Sequence, residues 1–133
     1  MTGFSVERDE ASAAFFGAAG RGVLLLRHCR GCGAYLQPQA RRCQDSGALE
    51  WAEASGRATL VSWAVDYALP LCDELAGPDG GSSAFGIVEL DEGPWLQVAI
   101  VGADPSELTE GRRMRVLFVR PGGGEAVPAF TAD

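Results

Sequence analysis

Three cysteines with the spacing of a metal-binding knuckle constrain this chain more than any other feature. Cys29 and Cys32 form a CxxC pair that is followed by Gly33. Cys43 comes after ten further residues. This spacing is typical of a zinc ribbon, in which a hairpin tip and a second knuckle supply four ligands. The second knuckle would place a cysteine at position 46, where this chain has Ser46, so the sequence predicts a ribbon that lacks one cysteine.

The fourth ligand has to come from another residue if the site holds zinc. Asp45 is the nearest chemically competent candidate, because carboxylate oxygen binds zinc well. His28 is the only histidine, and an extended strand would direct it away from the neighbouring Cys29. Cys72 is distant and is expected to be a free thiol. We therefore expect one zinc ion held by the three clustered cysteines and Asp45, with a metal-free, degenerate ribbon as the alternative.

The length and composition are those of a small globular protein. A chain of 133 residues is of ordinary single-domain size. No apolar stretch approaches the roughly 20 residues that a membrane-spanning helix needs. The opening residues, MTGFSVERDE, lack the basic and apolar regions of a secretion signal. We expect a cytoplasmic protein without a membrane partner, whose cysteines are metal ligands or free thiols rather than disulfides.

The charge of the chain argues against nucleic acid as a partner. Eleven basic residues, all arginine, stand against 18 carboxylates, which gives a net charge of -7 and a pI of about 4.6. Nucleic-acid binding draws most of its affinity from neutralising phosphates, so an acidic chain starts at a disadvantage. Two groups of arginines are expected to face solvent or to pair with carboxylates: Arg27, Arg30, Arg41 and Arg42 near the cysteines, and Arg112, Arg113 and Arg115 farther along.

The first part of the chain predicts a helix and a small hairpin. Alanine-rich residues 9–19 predict a helix that carries Phe15 and Phe16 and ends at Gly20. A helix this short is marginal alone, so its aromatic pair is expected to dock on something, in part a partner. Strands are expected at 23–27 and 35–37, on either side of the CxxC pair.

The remainder predicts a small β-barrel. Strands are expected at 56–67, 84–90, 95–101, 114–119 and 126–130, with a helical turn between the third and the fourth, marked by Asp104, Pro105 and Glu107. Five strands and one such turn are the inventory of an OB-fold. The predicted strands also suggest where two sets of side chains lie. Thr59, Val61, Trp63, Val65 and Tyr67 are expected to face the core, and Trp51, Trp63 and Trp95 are expected in the core or between ribbon and barrel.

The segment 68–83 is a long connection that is rich in glycine and proline. Long loops in compact domains are usually functional or mobile. Its apolar residues Leu69, Pro70 and Leu71, together with the helical Phe15 and Phe16, are expected to contact a partner or an acyl chain. The sequence has no GxSxG or HExxH motif, and carboxylates near Cys72 should raise the pKa of its thiol, so no catalytic residue is expected.

The order of these parts resembles a known family. The resembling stretches are FFGAAGRGVLLLRHCRGCG, LEWAEASGRATLVSWAV, FGIVELDEGPWLQVAIVGADP and GRRMRVLF, which together span residues 15–118. These stretches contain, in this order, a helix, the cysteine knuckle, Trp51, a strand that begins at a glycine and a turn that contains the dipeptide DP. They resemble the zinc-ribbon plus OB-fold proteins once called domain of unknown function thirty-five, which are associated with acyl-CoA metabolism. Ser46 departs from the family, whose members commonly have a fourth cysteine.

The resemblance implies a non-catalytic partner subunit. Such proteins bind thiolase-superfamily enzymes, including lipid-transfer-protein-like aldolases and acyltransferases, in acyl-CoA metabolism such as the degradation of a steroid side chain. It also implies three parts: an N-terminal helical segment at 1–22, a rubredoxin-like ribbon at 23–50 and an OB-fold domain at 51–133. The alternative is a ribbon and OB module that binds single-stranded nucleic acid or another protein, which an aromatic platform among basic residues would favour.

Overall fold

A computed structural model of the protein describes residues 8–43, 48–66 and 83–133. Within these ranges, one α-helix near the N-terminus, α1, precedes eight strands. A three-stranded ribbon sheet and a closed five-stranded barrel follow one another along the chain. The helix is Ala13–Ala19, and the strands are β1 Leu25–Cys29, β2 Tyr35–Leu36, β3 Leu49–Glu53, β4 Arg57–Asp66, β5 Ser83–Leu90, β6 Trp95–Ile100, β7 Arg113–Val119 and β8 Val127–Ala132.

The helix is shorter than its predicted range of 9–19. Asp9 holds a turn ahead of it, because its carboxylate accepts hydrogen bonds from the backbone N–H of Ser12 at 2.9 Å and from the Ser12 hydroxyl at 2.6 Å. These bonds resemble those of a helix N-cap, but the residues that they enclose, 10–12, form a turn rather than α-helix. The regular helix therefore begins only at Ala13 and ends at Ala19, directly before the predicted stop at Gly20.

The ribbon sheet has the order β2-β1-β3, with both pairs antiparallel. The predicted strand at 23–27 starts and ends two residues later than expected. The third strand, Leu49–Glu53, was not among the predicted strands and pairs along the whole of β1. Leu24 and Leu26 are buried in the same apolar cluster as barrel residues such as Leu60. Ribbon and barrel therefore share one core, which fixes their junction.

The barrel closes in the order β4-β5-β6-β8-β7. Its single parallel contact joins β6 to β8, and the other pairs are antiparallel. The predicted OB-fold is confirmed, and fully buried Val88, Met114 and Phe130 lie in its core. The predicted turn is also confirmed: Asp104 and Glu107 form a capping box around a 3-10 helix at Pro105–Glu107.

The predicted core face of β4 is wrong in the described part of the strand. Ala58 and Leu60 are buried there, rather than the alternate set that includes Thr59 and Val61. A register shift between Leu60 and Ser62 then changes the face. Beyond it Trp63 lies opposite the buried Gly86 but is itself 37% exposed, and Val65 is only partly buried, so the second half of the strand does not bury the predicted set either. The last member of the predicted set, at position 67, lies outside the described residues.

Candidate metal site and junction cleft

The three predicted cysteine ligands come together at one end of the ribbon. Cys29 ends β1 and is fully buried, and Gly33, with φ of +78°, closes the turn behind it. The N–H of Gly33 donates to the carbonyl of Cys29, and the N–H of Cys29 donates to Ala34, both at 2.8 Å. Cys32 lies at the exposed tip of this turn and Cys43 is 8% exposed.

The sulfur positions fit a zinc ion. All three Sγ atoms lie within 4.8 Å of one another, and those of Cys32 and Cys43 are 3.5 Å apart. Four ligands at about 2.3 Å around a tetrahedral zinc would place sulfurs about 3.8 Å apart. The three cysteines could therefore hold one metal ion, as the spacing predicted.

The electrostatics of the cluster also suit a cation. A backbone hydrogen bond from Ala34 lowers the pKa of Cys32, but hydrogen bonds to Cys29 and Cys43 and the charge of Cys29 outweigh it and raise the pKa above its usual value. The cause is that neighbouring sulfurs disfavour another thiolate in the same small space. A divalent cation removes this penalty, because thiols that coordinate it become thiolates.

The fourth ligand stays a prediction, since Asp45 and Ser46 lie outside the described residues. His28 is engaged elsewhere: its Nδ1 lies 2.7 Å from Glu50, and its ring packs on Tyr35 with centroids 4.8 Å apart. Arg30 donates to the same carboxylate at 2.8 Å. The Arg30 guanidinium, followed by His28, lowers the pKa of Glu50. These contacts agree with the expectation that the histidine is not a metal ligand.

A cleft of about 1030 Å³ lies where the helix, the ribbon and the barrel meet. Phe15 and Phe16, predicted from the sequence as contact residues, line it and form an edge-to-face pair with centroids 5.3 Å apart. The other predicted contact residues, Leu69, Pro70 and Leu71, lie outside the described residues. The remaining walls come from the ribbon and the barrel and include Arg27, Pro38, Arg41, Trp51, Gln97 and Pro128.

Arg27 and Trp51 form the ribbon wall of this cleft. They are directly opposed across β1 and β3, and the guanidinium carbon lies 4.3 Å from the indole centroid. The Nε of Arg27 is buried and has no hydrogen-bond partner among the described residues. The sequence placed this arginine only in a surface group. The sequence could have indicated this contact only if Arg27 and Trp51 had been recognised as opposite each other on paired strands. That pairing requires β3, which was not predicted.

The tryptophans do not form a basic aromatic platform in the described part of the chain. Trp51 lies between ribbon and barrel as expected, whereas Trp63 is 37% exposed and Trp95 is 49% exposed, which corrects their predicted core or interface placement. The indole N–H of Trp95 donates to the carboxylate of Glu89 at 3.1 Å. An acidic neighbour of this kind repels phosphate, so Trp95 is a poor stacking site for nucleic acid.

Two members of the second arginine group pair with carboxylates, which is one of the two predicted outcomes, and the third, Arg112, donates to the backbone carbonyl oxygens of Glu107 and Asp133. Arg113 makes two hydrogen bonds of 2.9 Å with Asp91. Arg115 and Arg57 both pair with Asp133. These pairs fasten β8 and the turn after β5 to the barrel rather than presenting free cations. No helix in the described ranges is long and apolar enough to cross a membrane.

Together, the cysteine ribbon and the closed barrel define the class: a ribbon and OB-fold protein with three cysteines that could hold one metal ion. A family model described as the C-terminal OB-fold domain of ChsH2 matches residues 51–119, which is slightly more than half of the chain. The chain belongs to this family. The family resemblance seen in the sequence is thereby confirmed.

Two solved structures share the fold over nearly the whole chain. The first, titled "Ltp2-ChsH2(DUF35) aldolase", aligns with a TM-score of 0.78 and 22% identity and covers 94% of this chain and 96% of that one. The second, a protein of unknown function from the DUF35 family of Sulfolobus solfataricus, aligns with a TM-score of 0.62 and 15% identity, with 94% and 85% covered. At these identities the likeness shows the fold alone. No curated protein matches the sequence significantly.

Proposed function

We propose that this chain is a non-catalytic subunit that associates with a thiolase-superfamily enzyme. The partner would be a lipid-transfer-protein-like aldolase or an acyltransferase that acts on an acyl-CoA, for example in the degradation of a steroid side chain or a similar lipid. The structural relative whose title names an Ltp2-ChsH2(DUF35) aldolase supports this, because nearly all of both chains align. The partner enzyme would supply the catalytic groups.

The observation that carries the proposal is the junction cleft. Its rim has the aromatic pair Phe15 and Phe16, and its wall has Arg27, whose buried Nε has no hydrogen-bond partner in the described part of the chain. Aromatic residues and arginine are enriched where interfaces gain most of their energy. A partner segment or an acyl-CoA with an anionic group would cover the apolar rim and give the cation an anion. Phe16 lines the cleft without belonging to the barrel core, so it is available for such a contact.

The titratable groups support a binding role over a catalytic one. Within the described part of the chain, the sole histidine bonds Glu50, and Cys32 and Cys43 have each other's sulfur as a neighbour. A catalytic thiol needs a base placed to take its proton. Three clustered sulfurs are better suited to holding an ion, which would stabilise the ribbon that forms one wall of the cleft.

Co-expression with a thiolase or aldolase candidate encoded nearby tests the proposal. We expect the two chains to co-elute in size-exclusion chromatography and the enzyme to be more soluble or more active in an acyl-CoA cleavage assay. A stable interface should bury at least about 1,000 Å² in total. If the candidate enzyme is equally soluble and active alone, or this chain turns over an acyl-CoA unaided, the proposal is wrong.

A pair of matched variants locates the contact. Phe16→Ala removes an aromatic group from the cleft rim, and we expect it to weaken association at least about tenfold, as for an interface hot spot. Trp95→Ala removes an exposed aromatic group outside the cleft lining and should leave association unchanged. Equal effects of the two variants would show that the cleft is not the contact surface.

A further inference from the structure

The three-cysteine cluster has one sulfur that is accessible and two that are not. Cys32 is exposed at the tip of its turn, Cys29 is fully buried and Cys43 is nearly so. A dissolved oxidant therefore meets Cys32 first. Susceptibility of cysteines to peroxide follows thiolate character, exposure and the presence of a nearby second thiol that can react with the oxidised one. Against the backbone hydrogen bond from Ala34, the neighbouring sulfurs raise the pKa of Cys32, so its exposure and its adjacent thiol, rather than a low pKa, single it out.

The second thiol is already in place. The Sγ of Cys43 lies 3.5 Å from that of Cys32, so the two sulfurs need to approach by only about 1.5 Å to reach the length of a disulfide bond. Both cysteines lie outside the strands. Cys29 is also a hydrogen-bond partner of Cys32, but it ends β1 and is paired with Leu49 of β3, which restrains its backbone. Cys43 is therefore better able to move toward Cys32 than Cys29 is.

We propose that Cys32 and Cys43 form a peroxide-sensitive pair in this ribbon. The thiolate of Cys32 attacks hydrogen peroxide, the O–O bond breaks, and the products are a sulfenic acid on Cys32 and one hydroxide. The thiolate of Cys43 then attacks the oxidised sulfur, the S–O bond breaks, and a disulfide and a second hydroxide form. The two sulfurs together lose two electrons, and the peroxide is reduced by the same two.

The substitution at position 46 gives this oxidation a larger consequence than in a ribbon with four cysteines. There, a single disulfide leaves two thiolates that can still chelate a metal ion. Here, with Ser46 in place of the fourth cysteine, it leaves Cys29 as the one thiolate of the cluster, together with the predicted carboxylate ligand Asp45. One thiolate is too few to retain zinc, whose structural sites use four ligands. One oxidation event is therefore expected to release any zinc that the cluster holds.

The chain is well arranged for a direct test. A Cys72→Ser parent leaves the three clustered thiols as the only cysteines. Its arginines allow trypsin to separate them, with Cys29 in peptide 28–30, Cys32 in 31–41 and Cys43 in 43–57. The reduced parent is treated with hydrogen peroxide, and we measure free thiols, cross-linked peptides by mass spectrometry and zinc release with a chromophoric chelator.

We expect the thiol count to fall from three to one, with peptide 31–41 linked to peptide 43–57 and both thiols restored by dithiothreitol. Release of bound zinc should proceed at the rate of thiol loss. In Cys43→Ser, a sulfenic acid on Cys32 should accumulate and be trapped by dimedone. A main link between 28–30 and 31–41, covalent dimers, or retention of all three thiols would overturn the proposal. Because the parent alone gives these readouts, poor folding of a variant does not prevent a decision.

Discussion

Arg27 and Trp51 face each other across the first and third ribbon strands, with the guanidinium carbon 4.3 Å from the indole centroid. A partly exposed contact of this kind contributes about 0.5–1 kcal/mol. The buried Nε of Arg27, which has no hydrogen-bond partner among the described residues, costs about 1–3 kcal/mol. The second magnitude is larger, so the arginine stabilises the isolated fold little or not at all. This balance fits a group that binds an anion.

Arg27→Met tests that balance, because methionine keeps much of the length and loses the charge. We expect the free energy of unfolding of the isolated chain to stay within about 1 kcal/mol of the parent or to rise, since an unsatisfied donor is removed. Association with the proposed partner should weaken at least about tenfold. Urea unfolding and a binding titration measure the two effects.

Arg113→Met is the matched control, because Arg113 is an arginine with a carboxylate partner outside the cleft. It should lower stability slightly and leave association unchanged. A large loss of stability in Arg27→Met, with association unaffected, would show that Arg27 has a structural role instead.

Zinc binding is predicted at no more than one ion per chain. Metal analysis of the purified protein should give up to one equivalent, and Cys32→Ser should reduce it sharply. Loss of an outer-shell partner already costs about 10- to 100-fold in affinity, and loss of a direct ligand should cost more. Cys72→Ser changes the cysteine that is distant from the other three in the sequence, and it should keep the zinc content of the parent. Equal zinc in Cys32→Ser and the parent would contradict the assignment.

Local sequence signals predicted the parts of this protein that depend on a few neighbouring residues. The CxxCG run determines a tight turn, so Cys29 and Cys32 had to lie close together. Asp104 and Glu107 form their capping box within four residues, and the turn appears where the sequence placed it. The prediction of which side chains of β4 face the core was wrong, because it assumed a regular alternation that long-range pairing interrupts. The bulge of β4 depends on pairing with β5, and nothing in the residues from Leu60 to Ser62 marks it.

Features that join distant segments could not be read from the sequence. The cleft combines Phe15 of the helix, Arg27 and Trp51 of the ribbon, and Gln97 of the barrel. Each is unremarkable in its own segment, and only the shared core of ribbon and barrel brings them together. The division of the chain at 22 and 50 and the role of Asp45 stay predictions.

Gly56 connects the ribbon to the barrel in a conformation that other residues rarely adopt. Its φ is +81°, and a Cβ there would lie 2.5 Å from a methyl carbon of Val116. A left-handed conformation costs about 1–2 kcal/mol for a residue with a Cβ. Overpacking adds about 1–3 kcal/mol. We therefore expect Gly56→Ala to lower the free energy of unfolding by about 2–5 kcal/mol, as measured by urea denaturation.

Gly111→Ala separates the two contributions to that loss. Gly111 has a similar φ of +87°, but a Cβ there would meet nothing within 4 Å. Its substitution should cost only the conformational part, about 1–2 kcal/mol. If both variants lose the same stability, the close approach of Val116 to Gly56 is not a constraint on the junction.

Two surface ion pairs make the free energy of unfolding depend on pH in the acidic range. Hydrogen bonds from Arg113 lower the pKa of Asp91, and a hydrogen bond from Arg8 lowers the pKa of Glu125. A carboxylate whose pKa is depressed by folding contributes stability that is complete above its unfolded pKa and is lost as the pH falls through its folded pKa. The loss should therefore begin below about pH 4.5, near the ordinary pKa of these groups. Because both pairs are exposed, added salt should diminish it.

Asp91→Asn measures the contribution of one of these pairs. We expect the variant to be slightly less stable than the parent at pH 6. The difference should be smaller at pH 3, because the parent's carboxylate gains a proton as the pH falls through its lowered folded-state pKa. Glu110→Gln, which neutralises another exposed carboxylate, is the control and should follow the parent. Urea midpoints at the two pH values, at low and high salt, give the comparison. A difference between Asp91→Asn and the parent that is the same at both pH values would mean that the substitution acts through packing rather than through the ion pair with Arg113.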